Sequence, residues 1–445
     1  MITHQKNIES AINRGIKTVG IGKKGSKHLS PELAKEILAQ LRTDKIPPAA
    51  KGAFFAGLIN KGVAPEEKIL EKAFAPGIFT DSNRLVEFLS KDAPEFVQKI
   101  CTQILNQQTL DRQTAYQLGK FLFSTEPGDG ARGLIASFLR VRYETPEEYA
   151  GILQAMQETI AGPFREPVPP GKPIIQLAEP FDGVDHSNMI TPLVGAYLQK
   201  LGYRTLHLIS RNSGPKLIFN LLNIAQSLKI PMAKGNSDLG RWSSDFGWFI
   251  NQPDLSPAID RWVELRLQII KRPFLATLER FLNPAGARIM AASAFHPPYG
   301  EKMLTIAEGA GVPGIIIIRN GIEGTMAFPL KREVRILCSA RQAGGKYLRW
   351  EIIFNAEQYS GYVGTEEKLE HPSVDENIQL IENYWRDQKT DNELFDRRVS
   401  ATCEGFRQAV DWLGKNVKND VIASEAKQSQ NQEKIASSPA KAGSQ

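Results

Sequence analysis

The sequence predicts an all-helical N-terminal domain followed by a doubly wound α/β domain. Three observations carry that expectation: an ungapped repeat of a helical hairpin before residue 160, a proline-rich break at 161–173, and short apolar runs that alternate with helical patterns beyond it. At 445 residues, with 42% hydrophobic and 23% charged residues, the chain is long enough to build more than one core.

The helical domain is expected over residues 1–160, with the two copies of the hairpin at 29–76 and 110–157. LSPELAKEILAQLRTDKIPPAAKGAFFAGLINKGVAPEEKIL, from Leu29, aligns with LDRQTAYQLGKFLFSTEPGDGARGLIASFLRVRYETPEEYAGI, from Leu110. Matched positions include Ala50 with Ala131, Lys51 with Arg132, Gly52 with Gly133, Leu58 with Leu139, Lys61 with Arg142, and the PEE at 65–67 with that at 146–148. Each copy reads as a capped first helix, a Pro/Gly turn, a second amphipathic helix and a PEE start to a third, with proline at the first helical position and acids in the first turn. The stretch between the copies, 76–108, also has helical periodicity.

Residues 161–173 read as a linker. Strands are expected at 174–177, 205–209, 248–250, 288–292 and 314–318, some with the near-continuous apolar character of a parallel sheet. Segment 252–285 reads as helical. The runs 334–339 and 347–354, joined by RQAGGK, form an antiparallel hairpin at the sheet edge. Helices at 375–388 and 392–414 complete an α/β domain spanning 174–415. From 416 to 445 the chain is polar and poor in aromatics, the composition of a disordered tail.

The formal net charge of +6 suits an anionic partner, either a phosphorylated small molecule or nucleic acid. Cys101, Cys338 and Cys403 show neither zinc-type spacing nor a disulfide framework and read as small buried residues of a reducing compartment. The first fifteen residues lack an apolar h-region, and the longest apolar run, 315–318, is too short to span a bilayer. The expectation is a cytoplasmic protein with no membrane partner.

The most informative stretch is 173–191, PIIQLAEPFDGVDHSNMIT, a strand that breaks into a turn and then opens a helix. Free N–H groups and the helix dipole make such a turn a place for phosphate, provided it is slim. Here Glu179 adds a repelling charge, Pro180 removes a donor and Phe181 adds bulk before the first glycine, Gly183.

This order of helical hairpin with PEE, proline-rich linker, strand and turn, then RPFLATLERFLNPAGARIMAASAFHP, resembles the anthranilate phosphoribosyltransferase group of family 3 glycosyltransferases, relatives of the pyrimidine nucleoside phosphorylases. The resemblance covers 29–76 or 110–157 and then 150–330, and is strongest at LNPAG, 282–286. It implies an α/β domain of the nucleoside phosphorylase/phosphoribosyltransferase type, a homodimer, and phosphoribosyl diphosphate with Mg2+ clamped between the domains. On the family pattern Asp182 matches the Asp that follows four Gly/Thr positions, Gly183 the next glycine, Asn188 the helix-start Asn and Thr191 the Thr three residues on. Arg211 is what remains of a motif after the second strand, near 207–210; Arg266 corresponds to the Arg of the aromatic-acid site and Arg272 to a second family Arg. The resemblance makes these seven the expected phosphate and ligand contacts, with helix capping the competing role for Asp182.

The departures are as telling. Residues 178–181 replace the glycines, Ala276 replaces an Asn, and Thr325, Met326 and Ala327 stand where an Asp-Glu pair would hold magnesium. Met and Ala offer no oxygen to a hard cation, and the nearby Glu323 reads as a solvated charge. Expelling pyrophosphate needs its developing charge neutralised, so no catalytic residue or metal ligand is assigned and ordinary anthranilate transfer is not expected. The reading is a divergent glycosyltransferase that binds a phosphorylated ligand. The alternative is a catalytically inactive nucleic-acid-binding paralogue, because a divergent branch of the group with a similarly degraded turn is associated with nucleic acid. For that reading Lys23, Lys24 and Lys27 in IGKKGSKHLS are the phosphate contacts, and Arg132, Arg140 and Arg142 extend the surface. No aromatic-rich single-strand motif accompanies them.

Overall fold

The computed structural model describes residues 9–418 apart from 23, 24, 44, 215, 217, 242, 367 and 371. The expected tail therefore lies outside the described residues from 419 onward. The N-terminal region is built from α1 (Ala11–Val19), α2 (Pro31–Leu41), α3 (Pro48–Lys61), α4 (Ser82–Ser90), α5 (Glu95–Leu105), α6 (Arg112–Leu122), α7 (Asp129–Arg142) and α8 (Pro146–Gln157). Their starts follow from the sequence. Ser30 accepts from Leu33 N–H ahead of α2, Asp111 from Thr114 N–H ahead of α6, and Thr145 with Glu148 closes a reciprocal capping box on α8.

The repeat is a structural pair. Helices α3 and α7 cross at backbone contact: a methyl group on Gly52 would lie 2.1 Å from the Gly130 carbonyl oxygen, and one on Gly133 would lie 2.0 Å from that of Ala49. Gly52 matches Gly133 and Ala49 matches Gly130, so the contact is reciprocal and the copies are related by a pseudo-two-fold axis. Their buried acids are duplicated too. Glu67 accepts the N–H groups of Leu29 (2.7 Å) and Ala64 (2.7 Å) and the Lys61 ammonium (2.5 Å). At the matching places Glu148 accepts from Leu110 (3.0 Å), Thr145 (2.8 Å) and Arg142 (2.5 Å). The copies part at the third element. Residues Pro65–Ala73 form a 3₁₀ turn that buries only Glu67 and Leu70, whereas α8 buries Tyr149, Ile152, Leu153 and Met156. An α-helix needs such a stripe to hold it against a neighbour.

The second region is a seven-stranded mixed sheet, β1 (Ile174–Ala178), β2 (Arg204–Ile209), β3 (Trp248–Asn251), β4 (Ile289–Ala294), β5 (Gly314–Arg319), β6 (Glu333–Arg341) and β7 (Tyr347–Asn355), in the order β3-β2-β1-β4-β5-β6-β7. The first five strands are parallel; β6 and β7 run antiparallel as the edge hairpin. Every residue of β1 and β4 is buried, which is why these strands read as continuous apolar runs. Helices α9 (Thr191–Lys200), α10 (Leu221–Ser227), α17 (Val374–Asp387) and α18 (Glu393–Asn416), with the short α16 (Ala356–Ser360), contribute to the core on one face. The other face shares one core with the N-terminal helices through α11 (Gln252–Leu255), α12 (Pro257–Asp260), α13 (Trp262–Ile269), α14 (Leu275–Leu278) and α15 (Pro297–Gly309). Trp262 Nε1 donates to Leu122 O at 2.9 Å and Arg261 to Phe123 O at 2.8 Å, tying α13 to the end of α6.

The strand order reverses between β1 and β4, so the crevice at their carboxyl ends is where this architecture collects ligands. The turn after β1 and the Phe295-His296 pair after β4 both lie there. No helix among the described residues is long and apolar enough to cross a membrane.

Candidate functional site: an interdomain cleft closed by its own carboxylates

The turn after β1 is a polar knot. Glu179, buried to 1% exposure, turns inward and accepts the Met326 N–H with both oxygens (3.0 Å each) and the Thr191 hydroxyl at 2.6 Å. Burial pushes its carboxyl up to about 7 against those donors. Asp182 is equally buried and receives Arg272 through Nε at 2.8 Å and through Nη2. Gly183 has φ 74°, and a methyl group there would meet the Phe219 carbonyl oxygen at 2.0 Å, so its lack of a side chain serves backbone packing. Helix α9 begins at Thr191, three residues beyond Asn188, which lines the larger of two adjoining cavities.

Glu323 is the residue that sequence reasoning misjudged. It accepts the N–H groups of Asp185 (2.9 Å) and His186 (2.8 Å), the Ser187 hydroxyl (2.7 Å) and the Lys216 ammonium (2.9 Å). Burial opposes its charge, but Lys216 and the backbone donors outweigh that and hold the carboxyl below its ordinary value. Lys216 also donates to Gly183 O at 3.3 Å. The Asp185 and His186 N–H groups and the Ser187 hydroxyl are thus held by Glu323, and the Thr191 hydroxyl at the start of α9 by Glu179. The signal was the coincidence of departures: the turn gains an acid where 325–327 lacks two.

The expected arginines are paired internally. Arg266 and Glu279, each about 2% exposed at the side chain, meet at 2.8 Å. Arg211 reaches Asp260 at 2.9 Å and Glu264 at 2.7 Å on α12 and α13, not the turn. His207 lies inside β2, stacked on Phe249, and burial pushes it down to about 4. Of the alternative nucleic-acid set, Arg132 is buried beneath the surface, its guanidinium over the Phe121 ring and donating to the Phe121, Leu122 and Ser124 carbonyls. Arg142 is held by Glu148. Neither extends a basic surface. Lys27 is exposed, and Lys23 and Lys24 lie outside the described residues.

What remains is a cleft of two cavities, about 380 and 690 Å3, that share Arg272, Phe295 and His296. Into the smaller one projects Arg140, which donates to the Arg272 and Ile21 carbonyls. Beside Arg140, Lys271 is pushed down to about 8 by burial and by the Arg140 and Lys17 charges. Arg280 closes the floor, donating to the Ser293 and Ala276 carbonyls, with burial pushing it down to about 10. In the larger cavity six cationic side chains face three carboxylates among the described lining residues. Lys368 is exposed and Arg332 reaches a carbonyl, Asn320 O. Tyr143 forms part of the smaller cavity's wall with φ 73°, ψ 135°, the conformation of Gly62 (φ 86°, ψ 135°) at the matching place in the first repeat.

Magnesium does not fit. Met326 and Ala327 supply no oxygen side chain, Glu179 and Glu323 are engaged by backbone and Lys216 donors, and Asp182 is held by Arg272.

The fold is that of anthranilate phosphoribosyltransferases: the structure of the enzyme (TrpD) from Thermus thermophilus superposes with a TM-score of 0.51 at 18% identity, covering 72% of this chain and 99% of that one. No protein-family model matches the chain. Among curated proteins, an uncharacterized protein of Aquifex aeolicus (strain VF5) is 23% identical over 219 residues, 49% of this chain and 65% of its own length. The uncharacterized protein YbiB of Escherichia coli (strain K12) is 25% identical over 221 residues, 48% of this chain and 66% of its own. The chain therefore matches just under two thirds of the length of these relatives.

Proposed function

We propose that this protein binds a phosphorylated ligand in the cleft and no longer transfers a pentosyl group. One observation carries the reading: Glu179 and Glu323 take the backbone and hydroxyl donors that a diphosphate leaving group would need. Without those donors and without oxygen ligands for a metal, nothing neutralises the charge that develops when pyrophosphate departs. Binding survives because the larger cavity has excess cations, among them Arg332 and Lys368. The test is direct. With anthranilate and phosphoribosyl diphosphate, with or without Mg2+, the purified protein gives no product. Pyrophosphate titrated by calorimetry binds, and Arg332→Ala with Lys368→Ala weakens it severalfold. Glu323→Ala vacates the Asp185 and His186 N–H groups and the Lys216 ammonium, and tightens pyrophosphate about tenfold, the factor that ~1.4 kcal/mol represents. Turnover by the wild type, or a correctly folded Glu323→Ala protein with unchanged affinity, overturns the reading.

A second reading, a single nucleic-acid strand in the same cleft, rests on Phe295. It is 48% exposed where the two cavities meet, beside Arg272, a pairing of aromatic platform and guanidinium of the kind that holds single strands. On this reading Phe295→Ala weakens oligonucleotide binding without altering pyrophosphate binding, and affinity falls steeply with salt. A salt-independent affinity removes it.

A further inference from the structure

Between α8 and α15 lies a third cavity of about 640 Å3, a volume typical of small-molecule sites. Ala150 and Leu153 of α8 and Ile306 of α15 line it, together with Glu144 and Lys302. The Lys302 ammonium is buried yet makes no hydrogen bond. It rests on the rings of Tyr143 at 4.1 Å and Tyr299 at 5.1 Å and stands 3.7 Å from Glu144 Oε2. Arg132, Arg266 and Arg280, also buried, each donate hydrogen bonds. Tyr143 holds its ring there at φ 73°, a conformation that strains a bulky residue and that the matching Gly62 adopts freely. Glu144, with 2% of its side chain exposed, accepts the Tyr149 hydroxyl at 2.7 Å. An unpaired buried ammonium and a strained tyrosine at one spot mark a functional site rather than ordinary packing.

We propose that Lys302 is a nucleophile that captures an uncharged aldehyde or ketone from this cavity as an imine. Lys302, Glu144 and Tyr149 stand in line as nucleophile, base and orienting group, the arrangement that activates a weak nucleophile. Burial pushes Lys302 below the ordinary lysine value against the pull of Glu144, and pushes Glu144 above the ordinary carboxyl value against Tyr149, Lys302 and Arg140. Both shifts favour passing a proton from nitrogen to Glu144. The charges of Lys302 and Glu144 already balance, so the ligand brings none. Its oxygen gives the ammonium the acceptor it lacks, and its apolar body lies against Leu153 and Ile306, while Arg112, Glu147 and Glu301 are exposed at the rim. The Lys302 nitrogen, rotated off the two rings, bonds to the carbonyl carbon as the C=O pair moves to oxygen. Glu144 carries two protons from nitrogen to that oxygen, which leaves as water while C=N forms. Ammonium and carbonyl thus become protonated imine and water with no other reactant. The cavity shares no residue with the larger cleft cavity, so the inference does not rest on the phosphorylated ligand.

Hexanal with cyanoborohydride tests this on the full chain, because hydride converts a protonated imine into a stable secondary amine that peptide mass mapping locates. At neutral pH Lys302 is expected to label at least about tenfold faster than a surface lysine, the exposed Lys99 and Lys234 serving as comparators. Its rate levels off at a lower pH than theirs. Lys302→Arg removes that label alone. Glu144→Gln keeps the shape of the side chain and slows labelling of Lys302 about a hundredfold, the scale of a lost general base, with Lys99 and Lys234 unchanged. A folded wild type in which Lys302 labels no faster than those two lysines overturns the proposal, as does a Glu144→Gln protein of wild-type melting temperature that labels Lys302 at the wild-type rate. If that variant unfolds, the wild-type comparison and its pH profile decide alone.

Discussion

Glu179 couples a single proton to the fold. Its carboxyl sits at about 7 in the folded state against an ordinary 4.5, raised chiefly by burial. Between those values the native state binds more protons than the unfolded one, so stability falls as pH rises through that window. The protonated form's advantage is fully present below 4.5 and lost above about 7, a difference of ~3 kcal/mol. Glu179→Gln removes the titration. Melting temperature plotted against pH should fall less steeply for the variant than for the wild type from pH 5 to 8, and parallel curves would refute the assignment. In the sequence Glu179 reads only as a charge repelling phosphate, and Glu323 as solvated. A linear pattern shows that a turn has gained an acid, but not that Met326, 147 positions away, supplies that acid's donor. Phe295 was hidden for a similar reason: a lone aromatic after a strand acquires its setting only when Arg272 is brought beside it.

At the scale of elements, the repeat was the most legible feature, and its chemistry was written in the matched pairs. Lys61 and Arg142 align because each neutralises the buried acid of its own PEE segment, Glu67 or Glu148. That is also why Arg142 is unavailable to an outside partner. The glycines were legible as matches but not as a crossing, because the reciprocity of Gly52 and Gly133 arises only when α3 meets α7. Gly133→Ala should cost about 3 kcal/mol, the upper end for overpacking, since the clash is with the Ala49 backbone. Gly309→Ala on α15, where a methyl group meets nothing within 4 Å, should be neutral or slightly stabilising. Urea denaturation of the two variants separates packing from propensity. What the repeat did not show is where its copies differ. The PEE signature starts a 3₁₀ turn in one copy and an α-helix in the other, decided by the apolar residues that follow it.

For the whole molecule, the strand positions and the edge hairpin could be read from apolar runs, because β1 to β5 are covered on both faces and leave little room for alternation. The merging of the 252–285 helices with the N-terminal layer could not, since it depends on contacts such as Trp262 to Leu122 across 140 positions. The reciprocal α3–α7 seam has a kinetic consequence. Gly52 and Gly133 are separated by 81 residues, which synthesis at ~5–20 residues/s spans in roughly 4–16 s. Through that interval α3 has left the ribosome with Ala49, Ala53 and Leu58 lacking their partner helix. The nascent chain thus carries a half-built seam in the open until its own later copy arrives, and a product interrupted before residue 129 keeps that apolar face for chaperone or protease.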